Sequence, residues 1–437
     1  MSAARPPEGA RSLLQDGVRA PHEVTSPGGV HSATLAPLTT LPPAAHRTVD
    51  LVYFNAGGGH RASALALEAA IHRAGLPWTV RLVNLREVLD PNDGFRKLTG
   101  MDPEDVYNKR LARGWTLGLT HELKVLQAVI RWAKPKLVRP LQQHWLATEP
   151  DMVVSLIPNF NRSLYESVAT ALPGVPYVTV LTDLADHPPH FWIEKGQDQY
   201  FVCGSPKAVQ QARAAGYAED RIHATSGMMI RSAFYETRPI DRAEERRRLG
   251  LDPDRPTGLV LFGGQGSKAM IGIARRLPDM QLILACGHNE SLAKALRALP
   301  AQAPRLVLGF TPDVAHYMQL SDFFIGKPGP GSVSEAVQLH LPVIVVCNSW
   351  TLPQERYNAQ WVREQGVGLV RSSYAKVPEA VEELVRDLDL YLAATRKVHN
   401  RAVFEIPDIL QTILARAEAR VGGEARIPEL SPAPAQH

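Results

Sequence analysis

Cysteine is scarce in this chain: Cys203, Cys286 and Cys347 are the only three in 437 residues, an odd number with no close spacing. That argues against a disulfide framework or a cysteine-rich zinc module and makes the cytoplasm the expected compartment. No run of about 18 uncharged apolar residues occurs, so no membrane-spanning helix is expected. The first residues lack the apolar stretch of a secretory leader, since Ser12-Leu13-Leu14-Gln15 is far too short. Net charge is only +4, which by itself does not point to nucleic acid. The dinucleotide fingerprint G-x-G-x-x-G is missing from the first glycine-rich turn as well.

What remains is a chain with 45% hydrophobic residues, long enough to bury two cores. Residues 1–47 are rich in Pro, Ala, Gly, Ser and Thr and read as a disordered tail, as do 421–437. Between them, short apolar runs alternate with helical patterns. Strands are expected at 50–54, 78–82, 152–156, 177–181, 199–203 and 221–225. A second set follows at 257–262, 281–286, 306–310, 322–325 and 341–346. Residues 235–256 are dense in charge and hold Pro239, Pro253 and Pro256, the mark of an interdomain connection with one short helix. The boundaries follow as a domain at 48–235, a linker at 236–256, a second domain at 257–390 and terminal helices at 391–420. Two sets of strand–helix alternation predict an α/β protein with two Rossmann-like domains facing a central cleft.

An unusual insert occupies 95–149. Between 96 and 139, ten Lys and Arg stand against four acids, with Trp115, Leu123, Val129 and Trp132 among the interleaved apolar residues and Trp145 just beyond. Basic amphipathic helices bearing tryptophan suit an anionic membrane surface. The same pattern also suits a helix packed on the sheet with a solvated basic face.

Polar groups collect where strands end. Asn55-Ala56-Gly57-Gly58-Gly59-His60 follows the first strand and runs into a strong helix. Thr182-Asp183-Leu184-Ala185-Asp186-His187 follows the fourth. Gly263-Gly264-Gln265-Gly266 opens the second set, and Gly326-Lys327-Pro328-Gly329-Pro330-Gly331-Ser332 leads into a helix expected to start at a capping serine, with Glu335 in its first turn. Glycine turns feeding helix N-termini offer free N–H groups and a positive dipole end to phosphates. Gln354, Glu355 and Asn358, beyond the strand at 341–346, bring amide and carboxylate groups suited to a polyhydroxylated ligand. Histidine titrates near working pH, so His60 is a candidate base or a structural residue at a helix start. Asp387-Leu388-Asp389 imitates a metal-binding pair but lies in an amphipathic helix and reads as a solvated face.

Taken in order, Gly57-Gly58-Gly59-His60-Arg61-Ala62-Ser63-Ala64, Thr182-Asp183-Leu184 with His187, Gly263-Gly264-Gln265-Gly266, the stretch 327–336, and Pro353-Gln354-Glu355 with Asn358 resemble the family 28 glycosyltransferases, and among them the monogalactosyldiacylglycerol synthases. The resemblance spans roughly 48–420. It implies a GT-B fold and inverting transfer of a hexose, galactose favoured, from a UDP-sugar to a lipid hydroxyl such as that of diacylglycerol. It also implies no bound cofactor or metal and peripheral membrane contact through 96–139. Carried over by residue, it makes His60 the base with Asp183 beside it, and places Gly58, Gly59 and His187 on the acceptor side. It puts Glu335 on the ribose, Phe310 near the uracil, and Gly263, Gly264, Gly266, Gly329, Pro330, Gly331 and Ser332 around the pyrophosphate. Gln354, Glu355 and Asn358 would hold the donor sugar. Gln265-Gly266-Ser267 is less acidic than expected of plant-type galactolipid enzymes, which leaves glucose and N-acetylglucosamine open. Other readings are transfer to another lipid-linked or small acceptor, a hydrolysing UDP-sugar 2-epimerase, and a non-catalytic nucleotide-sugar binder.

Overall fold

The structure, a computed structural model, describes residues 46–55, 59–91, 119–236 and 238–424. The expected tails up to residue 45 and beyond 424, Gly57 and Gly58 of the first glycine turn, and the insert from 92 to 118 with Trp115 lie outside the described residues.

Two six-stranded sheets carry the fold. The first holds β1 (Arg47–Tyr53), β2 (Trp78–Asn84), β3 (Met152–Ser155), β4 (Tyr177–Val180), β5 (Tyr200–Cys203) and β6 (Ile222–Ala224), in the order β2-β1-β3-β4-β5-β6. The second holds β7 (Thr257–Leu261), β8 (Gln281–Ala285), β9 (Arg305–Leu308), β10 (Phe323–Gly326), β11 (Val343–Val346) and β12 (Gly368–Arg371), in the order β12-β11-β10-β7-β8-β9. Every strand pair is parallel. Parallel strands are covered on both faces, which is why Met152-Val153-Val154-Ser155 and Val343-Ile344-Val345-Val346 are apolar runs buried at every position. In such sheets the strand order reverses at one place, and ligands bind beyond the carboxyl ends of the strands there. Those places are β1/β3 in the first sheet and β10/β7 in the second.

Two expectations are corrected. The sequence reading had no strand after 346, yet Gly368–Arg371 forms edge strand β12, which pairs with β11. The helix beyond β10 begins at Pro330, capped by Gly329 without a side-chain bond, so Ser332 is inside the helix. Proline at a first helical position costs no hydrogen bond and has φ preset, and this outweighs the capping tendency of Ser332. Glu335 is therefore in the second turn, beyond the first-turn site where the dipole acts most strongly.

Residues 238–256 pack on the second sheet. Helix Arg242–Arg248 buries Arg246, whose guanidinium donates to the Leu320 carbonyl (2.9 Å) and to Asp322 Oδ2 (2.7 Å), while Leu249 and Leu251 join that domain's core. The chain crosses back near Asn400 into helix Ala402–Glu424. Val403, Ile406, Leu410, Ile413 and Leu414 of this helix are buried against Val49, Leu51, Leu67 and Ile71 of the first domain.

Of the insert, helices Leu119–Trp132 and Lys134–Thr148 are described. Trp145 is fully buried and its Nε1–H donates to Ser167 Oγ (2.8 Å), so it belongs to the core. Trp132 is 79% exposed, with the Lys136 ammonium over its ring, and Val125, Val129 and Leu146 are exposed too. Lys134 pairs with Glu166 (2.8 Å).

Candidate active site

His60 is the second residue of helix Gly59–Arg73, which leaves the carboxyl end of β1 at the first switch point. Gly59 starts that helix, and the Leu156 carbonyl just past β3 favours the protonated form of the His60 ring. Thr182 Oγ1 stands 3.4 Å from Nδ1, and the indole of Trp192 is 6.2 Å away between ring centres. Burial lowers the His60 pKa to about 4, the Leu156 carbonyl opposing, so the ring is neutral at pH 7 and able to accept a proton.

Asp183 follows β4. Its carboxylate is buried, and Oδ2 accepts from Trp192 Nε1–H at 2.9 Å. Trp192 thus links His60 and Asp183. Burial pushes the Asp183 pKa up to about 7, opposed by the Trp192 bond, with Glu355 raising and Lys327 lowering it from the second domain. Lys327 follows β10, so Asp183 beyond β4 lies within electrostatic reach of the end of β10. Asp186 differs in kind: its oxygens accept from the backbone N–H groups of His190 (3.0 Å) and Trp192 (2.6 Å), fixing the loop that carries the indole. His187 is exposed. Partial burial and the Arg356 guanidinium of the second domain both hold its pKa below the ordinary histidine value.

The second switch point gathers the other predicted residues. Gly263 and Gly266, with φ of 75° and 59°, shape the turn after β7. The Gly264 carbonyl accepts from the His288 N–H at 2.8 Å. The His288 ring stacks on Phe310 at 4.1 Å and 15°, which leaves Phe310 60% exposed. Beside this turn, helix Pro330–Gln338 points its N-terminus, with Gly331 and Ser332 in the first turn, at the cleft rim beyond β10.

Pro353–Glu355 form a 3-10 turn leading into helix Arg356–Gln365, and Glu355 and Asn358 are buried. Asn358 Nδ2 donates to the Pro328 carbonyl (2.8 Å). Asn358 Oδ1 and Gln354 Oε1 are buried and accept from no described residue. Buried carbonyl oxygens without a donor are uncommon, and each has acceptor capacity to spare for a further partner. Glu355 accepts from the Lys327 ammonium. Glu335 is largely buried, accepts from Arg231 Nε (3.2 Å) and has its pKa raised by burial to about 6, Arg231 opposing. Gly58 lies outside the described residues. Among the described residues, no group of three or more His, Cys, Asp or Glu is arranged to hold a metal ion.

Sequence reasoning left Lys327 and His288 outside the site although they stood within or beside its motifs. It had no signal for Trp192 or Arg231, because their partners Asp183 and Glu335 lie 9 and 104 residues away.

Comparison with known proteins supplies the family. Residues 259–413 match the model of the glycosyltransferase family 28 C-terminal domain. Monogalactosyldiacylglycerol synthase 1, chloroplastic, of Arabidopsis thaliana is 27% identical over 82% of this chain and 68% of its own length. The processive diacylglycerol beta-glucosyltransferase of Staphylococcus carnosus is 31% identical over 49% of this chain and 54% of its own. Among solved structures, MurG of Acinetobacter baumannii shares the fold, with a TM-score of 0.53 and 15% identity over 84% of this chain and 99% of its own. A Listeria monocytogenes protein described as a UDP-N-acetylglucosamine 2-epimerase does too, with a TM-score of 0.53 and 13% identity over 86% and 98%. This chain is a GT-B glycosyltransferase with a family 28 C-terminal domain, homologous to the monogalactosyldiacylglycerol synthases.

Proposed function

We propose that the protein moves a hexose, galactose favoured, from a UDP-sugar to a lipid hydroxyl, diacylglycerol favoured, inverting the anomeric centre without a bound metal. The observation that carries the donor half is the pair of buried, unpartnered oxygens on Gln354 and Asn358 beside the Glu355 carboxylate. They supply the hydrogen-bond acceptors that sugar hydroxyls need. Gly263, Gly264, Gly266 and the helix start at Gly329 to Ser332 face the diphosphate, where N–H groups and the dipole meet negative charge. Glu335 takes the ribose, and the free face of Phe310 takes the uracil.

His60 accepts the acceptor hydroxyl's proton, which its neutral state permits. Asp183 lies on the acceptor side and, when ionised, favours the imidazolium that forms; Gly59 and His187 line the same wall. The lipid acceptor rests on the relatives, which act on diacylglycerol by name. The exposed Val125, Val129 and Trp132 with Lys136 over the indole suit peripheral binding to an anionic membrane at the cytoplasmic face.

The test is transfer from radiolabelled UDP-galactose, UDP-glucose and UDP-N-acetylglucosamine to diacylglycerol vesicles in EDTA, with sedimentation of the vesicles followed in parallel. Label in lipid for wild type and a loss of about a hundredfold or more in His60→Ala is expected. Label released as free sugar with UDP, and none in lipid, would move the assignment to the epimerase whose fold this chain shares.

A further inference from the structure

The Lys327 ammonium sits at the meeting of three features of the cleft. It donates to the buried Glu355 carboxylate. It acts on Asp183 from across the cleft. Its stem lies against the helix start, since a Cβ placed on Gly329 would stand 3.4 Å from Lys327 Cε and 3.8 Å from Glu355 Oε1. An ammonium group there lies at once beside the sugar-facing carboxylate and beside the helix N-terminus that faces the diphosphate.

We propose that Lys327 is a catalytic residue that exchanges partners: its ammonium, which pairs with Glu355, moves to the β-phosphate of the donor when the nucleotide binds. The proposal rests on the donor reading above. Exchange frees Glu355 to accept from sugar hydroxyls at the moment a sugar arrives. In the transfer itself, the bond from the anomeric carbon to the β-phosphate oxygen breaks and its electron pair stays on the phosphate. The acceptor oxygen forms the new bond to that carbon, and its proton passes to the base. Charge therefore grows on the phosphate oxygen that Lys327 meets, and a fixed cation at that point stabilises the departure without itself giving up a proton. The helix N-terminus alone offers about half an elementary charge, less than a diphosphate demands.

Calorimetric titration with UDP and with uridine separates the possibilities. For Lys327→Met, UDP binding is expected to weaken about tenfold to a hundredfold while uridine binding is unchanged, which also reports that the variant is folded. Lys327→Gln gives the same answer should the methionine variant not fold. The loss is expected to persist when Lys327→Met is placed on Glu355→Gln. Wild-type affinity for UDP in both Lys327 variants would overturn the assignment and leave the donor reading standing. A loss that vanishes in the Glu355→Gln background would overturn it too, because Lys327 would then serve only to neutralise Glu355. A wild-type protein that binds neither UDP nor uridine would overturn the donor reading, and this assignment with it.

Discussion

Asp183 and His60 carry opposite shifts from the same cause. Burial disfavours charge, so the acid is pushed up to about 7 and the base down to about 4. If transfer needs both groups in their deprotonated forms, the acid limb of kcat/KM lies near pH 7 and belongs to Asp183, far above the His60 transition. Trp192→Phe removes the indole bond that lowers the Asp183 pKa, so the limb is expected to move to higher pH with a several-fold loss at pH 7. A limb that stays in place would rule the bond out as a determinant. The stability sign runs the other way from a salt-bridged carboxylate. Asp183 and Glu335 have folded values above those of the free side chains, so their contribution is full below about pH 4 and is lost as pH rises through about 6 to 7. At this scale the sequence was informative where chemistry and spacing coincide, as in Gln354, Glu355 and Asn358. It was silent on Trp192, whose role exists only because Asp186 folds its loop back onto Asp183.

Among elements, the glycine turn after β7 depends on its neighbour after β8. A Cβ on Gly287 would fall 2.1 Å from the Gly264 carbonyl oxygen, and its φ of 59° already disfavours a side chain. Gly287→Ala is expected to cost about 2 kcal/mol or more in denaturant unfolding and to weaken UDP binding, since it drives apart the turn that faces the diphosphate. Gly264→Ala, with nothing within 4 Å of the added carbon, should unfold nearly as wild type. Unfolding of the two at the same denaturant concentration would refute the packing argument. The buried parallel strands were legible because each is an apolar run between turns. β12 was not, because Gly368-Leu369-Val370-Arg371 is short and follows the αL glycine, Gly366, that ends a helix. The helix start at Pro330 was misplaced because Ser332 is an equally good cap in isolation, and only the course of β10 decides between them.

At the scale of the molecule, the chain crosses between sheets twice and both crossings are fastened together. Asn400 Nδ2 donates to the Met228 carbonyl (2.8 Å), its Oδ1 accepts from Tyr235 (3.3 Å) and from the Ala402 N–H (3.0 Å), and Ser226 Oγ accepts from the Arg401 N–H (2.7 Å). Asn400→Ala strands buried partners on both crossings and is expected to cost about 1–3 kcal/mol while leaving the pH limb unchanged. Loss of less than about 0.5 kcal/mol would show that the crossings hold without it. The two-domain plan was readable from repeated alternation, but the fastening was not, since it joins residues about 170 apart. One consequence concerns the order of synthesis. The apolar face of Gly59–Arg73 is covered by Val403, Ile406 and Leu410, which leave the ribosome long after that helix does. The first sheet of the nascent chain must therefore wait, incompletely packed, until the helix from Ala402 is made, and in that interval a chaperone would hold it.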